Sequence, residues 1–122
     1  MSVNAELNEY KRLIDDLVVT HKEDVTGFQI RTGKPVSLGY PENNRYNQML
    51  ARLSSEDREL LAEMLDHARS GGVHDTLVLL DEGKYRLWRG ELELPFQPYG
   101  SQMFFDFVAR REGDPWPDEL ST

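Results

Sequence analysis

Apolar residues recur at helical spacing at the start of the chain. Leu7, Tyr10, Ile14, Leu17 and His21 step by three and four, and Leu13 and Val18 widen the stripe. This spacing predicts a first helix, with Asn4 as a candidate N-cap and Gly27 as the breaker that follows it. From Phe28 to Asn44 the period is lost. RTGKPVSLGYPENN holds two glycines, two prolines and two asparagines, which is loop chemistry. A loop of that length is either functional or ordered by its own packing, with Val36 and Tyr40 as candidate anchors.

Helical spacing returns at Arg45–Arg52, where Tyr46, Met49, Leu50 and Leu53 share a side. LSSEDRELLAEMLDHARSGG follows. Ser54 with Asp57 three residues on is a variant of the capping box. Leu60, Leu61, Met64, Leu65 and Ala68 form the expected buried stripe. His67 and Arg69 fall in the expected last turn, where cations suit the helix dipole, and Gly71–Gly72 are the expected stop. GGVHDTLVLLDEGK fits a helix through Val73, Leu77 and Leu80, and its TLVLL run also fits a buried strand; the DEG stop favours the helix.

YRLWRGELELP then alternates with period two. Tyr85 and Leu87 match Leu92 and Leu94 across a turn at Arg89-Gly90, with Trp88 on the other face, so a β-hairpin is expected. A last helix is expected over Ser101–Arg111, capped by Ser101 and ended by Gly113, with Phe104, Phe105, Phe107 and Val108 deep in the core. Beyond it, DPWPDEL reads as one short helical turn, with Asp114 at the N-cap and Pro115 at the first position. Trp116 would fold back as an anchor for the C-terminal segment, or form the wall of a ligand pocket. These elements make an α+β, mainly α, single domain over residues 1–122. Three to four principal helices surround one core, with a small antiparallel β-hairpin.

Charge narrows the partners. Fourteen Lys and Arg against 22 Asp and Glu leave a net charge of −8. Nucleic-acid binding needs a basic face to neutralise phosphates, and an anionic membrane surface makes the same demand; neither partner is expected. An acidic surface suits solubility or a basic partner protein. The chain has no cysteine, which excludes disulfides, thiolate zinc sites and thiol catalysis and fits a reducing, cytoplasmic setting. MSVNAELNEYKRLIDD has no apolar run of signal-peptide type, and the longest apolar run, Leu77–Leu80, falls far short of the ~20 residues of a membrane span.

SGGVHD after a helix, then ELPFQPYG, then FDFVARREGDPWPDE resemble a family of small bacterial proteins of unknown function. The likeness covers Leu53–Glu119, and the first half matches loosely through YKRLIDDLV. It implies a bacterial source and a compact domain, and brings no catalytic residues with it.

Few residues could carry chemistry. His74-Asp75 is similar to the metal-binding dipeptide of HD-type phosphohydrolases, in which His21 or His67 and Asp106 would nominally complete the set. The plain alternative puts Asp75 in a first helical turn and lets His74 cap or pack. Asp106 and Arg110, one turn apart, can pair on the helix, while an acid inside FFDFV can also be buried. His74, Asp75, Asp106 and Asp114 would meet if the last helix packs beside the helix after Gly72. Arg110, Asp114 and Trp116 are candidates for partner or ligand contact. No Gly-x-Ser-x-Gly elbow, phosphate loop or dinucleotide glycine pattern is present, and no cofactor is expected. The leading expectation is a non-enzymatic protein-binding or regulatory module, for example immunity- or antitoxin-like. A small metal-dependent hydrolase using His74, Asp75 and Asp106, and a self-associating structural homodimer, are the alternatives.

Overall fold

The computed structural model describes residues 2–22, 24–33 and 43–119. Their elements in order are α1 (Ser2–Lys22), α2 (Val25–Thr32), α3 (Asn43–Ala51), α4 (Ser55–Glu82), β1 (Trp88–Arg89), β2 (Leu92–Glu93), α5 (Met103–Arg111) and a closing 3-10 turn, Pro117–Glu119. The chain is thus mainly helical with one small antiparallel hairpin, the class its periodicities predict. No helix among the described residues is long and apolar enough to cross a membrane.

Packing divides the chain into two compact units. One holds the residues up to Lys22 and those from Gly72 onward; the other is Glu23–Gly71. In the first unit, Tyr10, Ile14 and Val18 of α1 meet Leu77 of α4, Leu94 beside the hairpin, Met103 and Phe107 of α5, and Trp116. The α1 stripe is the one its spacing predicts, except that Leu13 reaches the surface. α5 is amphipathic rather than apolar all round. Phe107 is buried, whereas Phe105 is 63% exposed. A period of 3.6 sends neighbouring aromatics to different faces, so an apolar run alone does not bury all its members. In the second unit, Ile30, Leu50 and Ala62 form a small core with Leu53 and Leu61 against it. Leu60, Met64 and Leu65, expected in the buried stripe of α4, lie exposed instead. Apolar residues there crowd more than one face of the helix, so spacing could not select the buried one.

Several expected boundaries shift. α1 already runs through Asn4, which therefore caps nothing. Gly27 does not break a helix: it lies in α2, part of the stretch expected to be loop. The Asp24 side chain N-caps α2 by accepting the Gly27 N–H at 2.9 Å. A Cβ at position 27 would sit 1.9 Å from Asp24 Oδ2, so only glycine lets the cap approach this closely. The rest of the expected loop, residues 34–42, including Val36 and Tyr40, lies outside the described residues. At α4 the cap is the expected one, Ser54 Oγ accepting the Asp57 N–H at 3.1 Å.

Gly71 and Gly72 do not stop α4. The helix continues through both to Glu82, so His67, Arg69 and Asp75 are mid-helix residues and not terminal ones. Glycine in a helix costs about 1 kcal/mol relative to alanine. Packing of Leu77 against the first-unit core, with Val73 and Leu80 beside it, outweighs that cost. The real stop lies after Glu82. The Tyr85 N–H donates to the Leu80 carbonyl and the Lys84 N–H to the Asp81 carbonyl, a Schellman closure with Lys84 in the left-handed region at φ 56°.

The hairpin pairs Trp88 with Glu93 and Arg89 with Leu92. Its two-residue turn is therefore Gly90-Glu91, one position beyond the expected Arg89-Gly90. The Leu94 N–H donates to the Leu87 carbonyl and carries the pairing toward the core. Ser101 does not cap α5. That helix starts at Met103 after Gln102, whose side chain makes no capping bond. Its end at Gly113 (φ 90°) is the expected one. The final turn starts at Pro117 rather than Pro115, which leaves Trp116 in the position expected of Asp114.

A Cβ at Gly71 or Gly72 meets nothing within 4 Å. Gly71→Ala and Gly72→Ala should therefore each raise unfolding stability by roughly 0.5–1 kcal/mol in urea denaturation. A loss of stability in both would contradict a continuous α4.

Candidate functional site

The C-terminal segment of the first unit gathers four of the residues singled out by sequence. Asp106, Arg110, Asp114 and Trp116 line one recess of about 390 Å³ together with Ala109, Pro115 and Pro117. α5 brings Asp106 and Arg110 to it, one turn apart. The Gly113 reversal turns the chain back, so Trp116 folds against α1.

Trp116 is 3% exposed. Its ring stacks on Tyr99 at 5.5 Å between centroids and meets Tyr10 at 6.2 Å. The Arg110 guanidinium lies over it at 4.8 Å, an arrangement worth about 0.5–2 kcal/mol. Arg110 takes partners other than the expected Asp106. Its Nε and Nη2 donate to the two Asp15 oxygens on α1, at 2.8 and 3.2 Å, and its Nη1 donates to the Asp114 carbonyl at 2.8 Å. The forked hydrogen bond to Asp15 holds the guanidinium pKa above its ordinary value. On the other side Asp118 accepts from Lys11 Nζ at 2.8 Å and from the Tyr99 hydroxyl at 2.6 Å, which lowers its carboxyl pKa. These contacts are those of an anchor: Trp116 is clamped to α1 by cations that acids hold in place.

Asp106 lies deeper, 7% exposed. Tyr10 donates its hydroxyl to one carboxylate oxygen, and Ser101 Oγ donates to the other at 2.8 Å. Burial, followed by this hydrogen bond and the Asp106 charge, raises the Tyr10 phenol pKa; burial and Asp118 do the same to Tyr99.

His74 and Asp75 are placed elsewhere. His74 Nδ1 lies 3.2 Å from Asp75 Oδ1, and the imidazole stands edge-on to Phe104 at 4.7 Å. Asp75 projects into solvent. Asp106 takes its hydrogen bonds from the hydroxyls of Tyr10 and Ser101 instead. Among the described residues no group of three His, Asp or Glu side chains is placed to hold a metal ion.

Two features went unread in the sequence. Asp81, 3% exposed, accepts the Met103 N–H at 2.6 Å through Oδ2 and so caps α5 from another helix, while its Oδ1 has no hydrogen-bond partner. The signal was an acid closing the apolar run LVLL. Trp88, placed on the outer face of the hairpin by its alternation, is 60% exposed and lines a groove of about 370 Å³. Leu13, Leu17, Leu77, Leu80 and Leu87 form its apolar floor, and Glu9, Arg12, Asp16 and Arg89 its charged surround.

The chain belongs to a family of unknown function (DUF6547), whose model matches residues 3–118. The match takes in the first half as well as the motifs of the second, on which the resemblance was founded. Neither the curated proteins nor the solved structures include a significant match to the chain.

Burial of the Tyr10 phenol gives a pH dependence with a definite sign. A phenol whose folded pKa is raised stabilises the fold fully below its unfolded value of 10.0. Above that pH the unfolded chain loses a proton that the folded chain keeps, so stability falls as pH rises. Tyr10→Phe should remove about 1.4 kcal/mol in total from the decline between pH 9 and 11, the slope approaching that of a full proton only above pH 11. Denaturant unfolding between pH 9 and 11 checks it; an unchanged slope would show that Tyr10 is free to ionise in the fold.

Proposed function

We propose that this protein is a non-catalytic protein-binding module that docks a basic partner in the groove between α1 and the hairpin. The observation that carries the reading is Trp88. A tryptophan left 60% exposed at the edge of an apolar groove is a large area of ring kept in water. Interfaces concentrate their binding energy in Trp, Tyr and Arg at an apolar centre with a polar surround. The groove has that make-up, with Trp88 and Arg89 beside leucines and with Glu9, Arg12 and Asp16 around them.

The charge of the partner follows from that of the chain. At −8, the protein repels acidic surfaces and steers basic ones toward it. The occupant that fits is a protein presenting an apolar segment flanked by Lys or Arg. A toxin-neutralising immunity protein or antitoxin, masking the basic face of its target, is one concrete version. A second copy of this chain is the competing occupant, and solution mass distinguishes it.

Trp88→Ala is the test, since the side chain lies outside the core and its loss leaves the fold intact. A partner captured by the wild-type protein, purified and titrated against both forms, should bind the variant at least about 30-fold more weakly, a cost of ≥ 2 kcal/mol. Its affinity should also fall as salt rises. A partner that binds both forms equally, or a protein that light scattering finds wholly dimeric through this face, would overturn the reading.

A further inference from the structure

Charge is unevenly placed along the groove beside the hairpin. Arg12 of α1 and Arg89 of β1 both line it, and so does Glu9. Arg12 Nη1 lies 3.6 Å from one Glu9 oxygen, and Arg89 Nη1 lies 3.4 Å from the other. One carboxylate thus gathers two guanidiniums from different elements. A charge-assisted N–H···O bond measures about 2.7–2.9 Å, so neither contact spends a donor in a full hydrogen bond. The Glu9 side chain is 19% exposed, against 55% for Arg12 and 60% for Arg89, so water reaches the cations far more than the acid between them. Two cations on one anion leave this end of the groove positive. Asp16, the other acid of the lining, stands two helical turns from Glu9, roughly 10 Å along α1. We propose that the groove is a binding site for a small apolar carboxylic acid, its carboxylate on Arg12 and Arg89 and its alkyl stem against the leucines and Trp88.

The lining selects that class of ligand. A space of about 370 Å³ falls at the lower end of the roughly 300–1,000 Å³ of small-molecule pockets, which pair apolar walls with a few polar groups. A guanidinium is a planar fork of donors that matches a carboxylate with two parallel N–H···O bonds. The stem has its own surface. Leu13 is 37% exposed and Trp88 60% exposed, and an alkyl chain laid between them removes both from water. Asp16 sets the direction, because an anionic head is repelled from that end. The net charge of −8 repels an anion at a distance, and salt screens that repulsion; the two guanidiniums act at contact, where screening is weaker. The inference concerns the same groove as the proposed docking site and does not rest on a protein partner.

The test titrates the full chain with octanoate, read by calorimetry and by tryptophan fluorescence. Trp116 is already buried at 3% exposure, so a blue shift on binding reports Trp88. Acetate supplies the head alone, octanol the stem alone, and octylammonium the stem with the opposite charge, each below its micellar concentration. Octanoate should bind saturably, and the other three at least about tenfold more weakly. Arg12→Gln and Arg89→Gln should each weaken octanoate by about fivefold and leave octanol unchanged. Asp16→Asn should strengthen octanoate by about twofold. All three side chains are exposed, so the variants keep the fold. No partner protein enters this test, so its failure and that of the docking reading are separate results. Absence of saturable octanoate binding, octanol or octylammonium binding as tightly as octanoate, or affinities unchanged in both arginine variants would overturn the proposal. A leucine-terminated peptide that binds where octanoate does not would overturn it too, and would assign the groove to a chain terminus.

Discussion

A carboxylate removed from water must be solvated by the protein itself, and Asp106 draws its partners from distant parts of the chain. Its two oxygens receive the hydroxyl of Tyr10, 96 residues away on α1, and that of Ser101, just ahead of α5. Two neutral donors in a low-dielectric setting give each oxygen a hydrogen-bond partner. The arrangement fixes α5 against α1 in one register. The Asp81 cap on Met103, the Trp116 stack and the Arg110–Asp15 fork all build on that register. Breaking one partner of Asp106 would leave a buried acceptor unmet, which costs more than the bond itself contributes.

Four of the residues that sequence reading marked as chemical, Asp106, Arg110, Asp114 and Trp116, line one recess and make contacts within the fold, whereas His74 and Asp75 are not part of its lining. Perturbed ionisation in the first unit follows from the same clamp: the Tyr10 and Tyr99 phenols are raised by burial and by carboxylates that stabilise the fold. Structural ion-pair networks perturb pKa values as catalytic ones do. Beside the hairpin lies a broad apolar groove rimmed by charge, whose lining takes no part in this clamp.

Periodicity made much of the fold legible. The α1 stripe, the capped start of α4, the hairpin alternation and the amphipathic α5 follow from spacing of apolar residues and from capping chemistry. Glycine was the main source of error. Gly27, Gly71 and Gly72 all read as breakers, and all three are helical. The intrinsic penalty is about 1 kcal/mol per glycine, and tertiary packing exceeds it when a buried residue such as Leu77 lies one or two turns on. The site was less legible because its contacts are long-range. Nothing local to FFDFV names Tyr10 as the partner of Asp106, and nothing near LVLLD names Met103 as the partner of Asp81. Trp116 was readable as an anchor because a tryptophan beside a helix stop has few other ways to leave water.

The measurement that bears most directly on this account is a double-mutant cycle between Tyr10→Phe and Asp106→Asn, read by chemical denaturation at neutral pH. If the buried hydroxyl–carboxylate bond fastens α1 to α5, the two losses will not add, and the coupling will be about 1 kcal/mol or more. Additivity within about 0.3–0.5 kcal/mol would show that the two side chains stabilise the protein independently, and would contradict the lock on which the rest of the first unit is built.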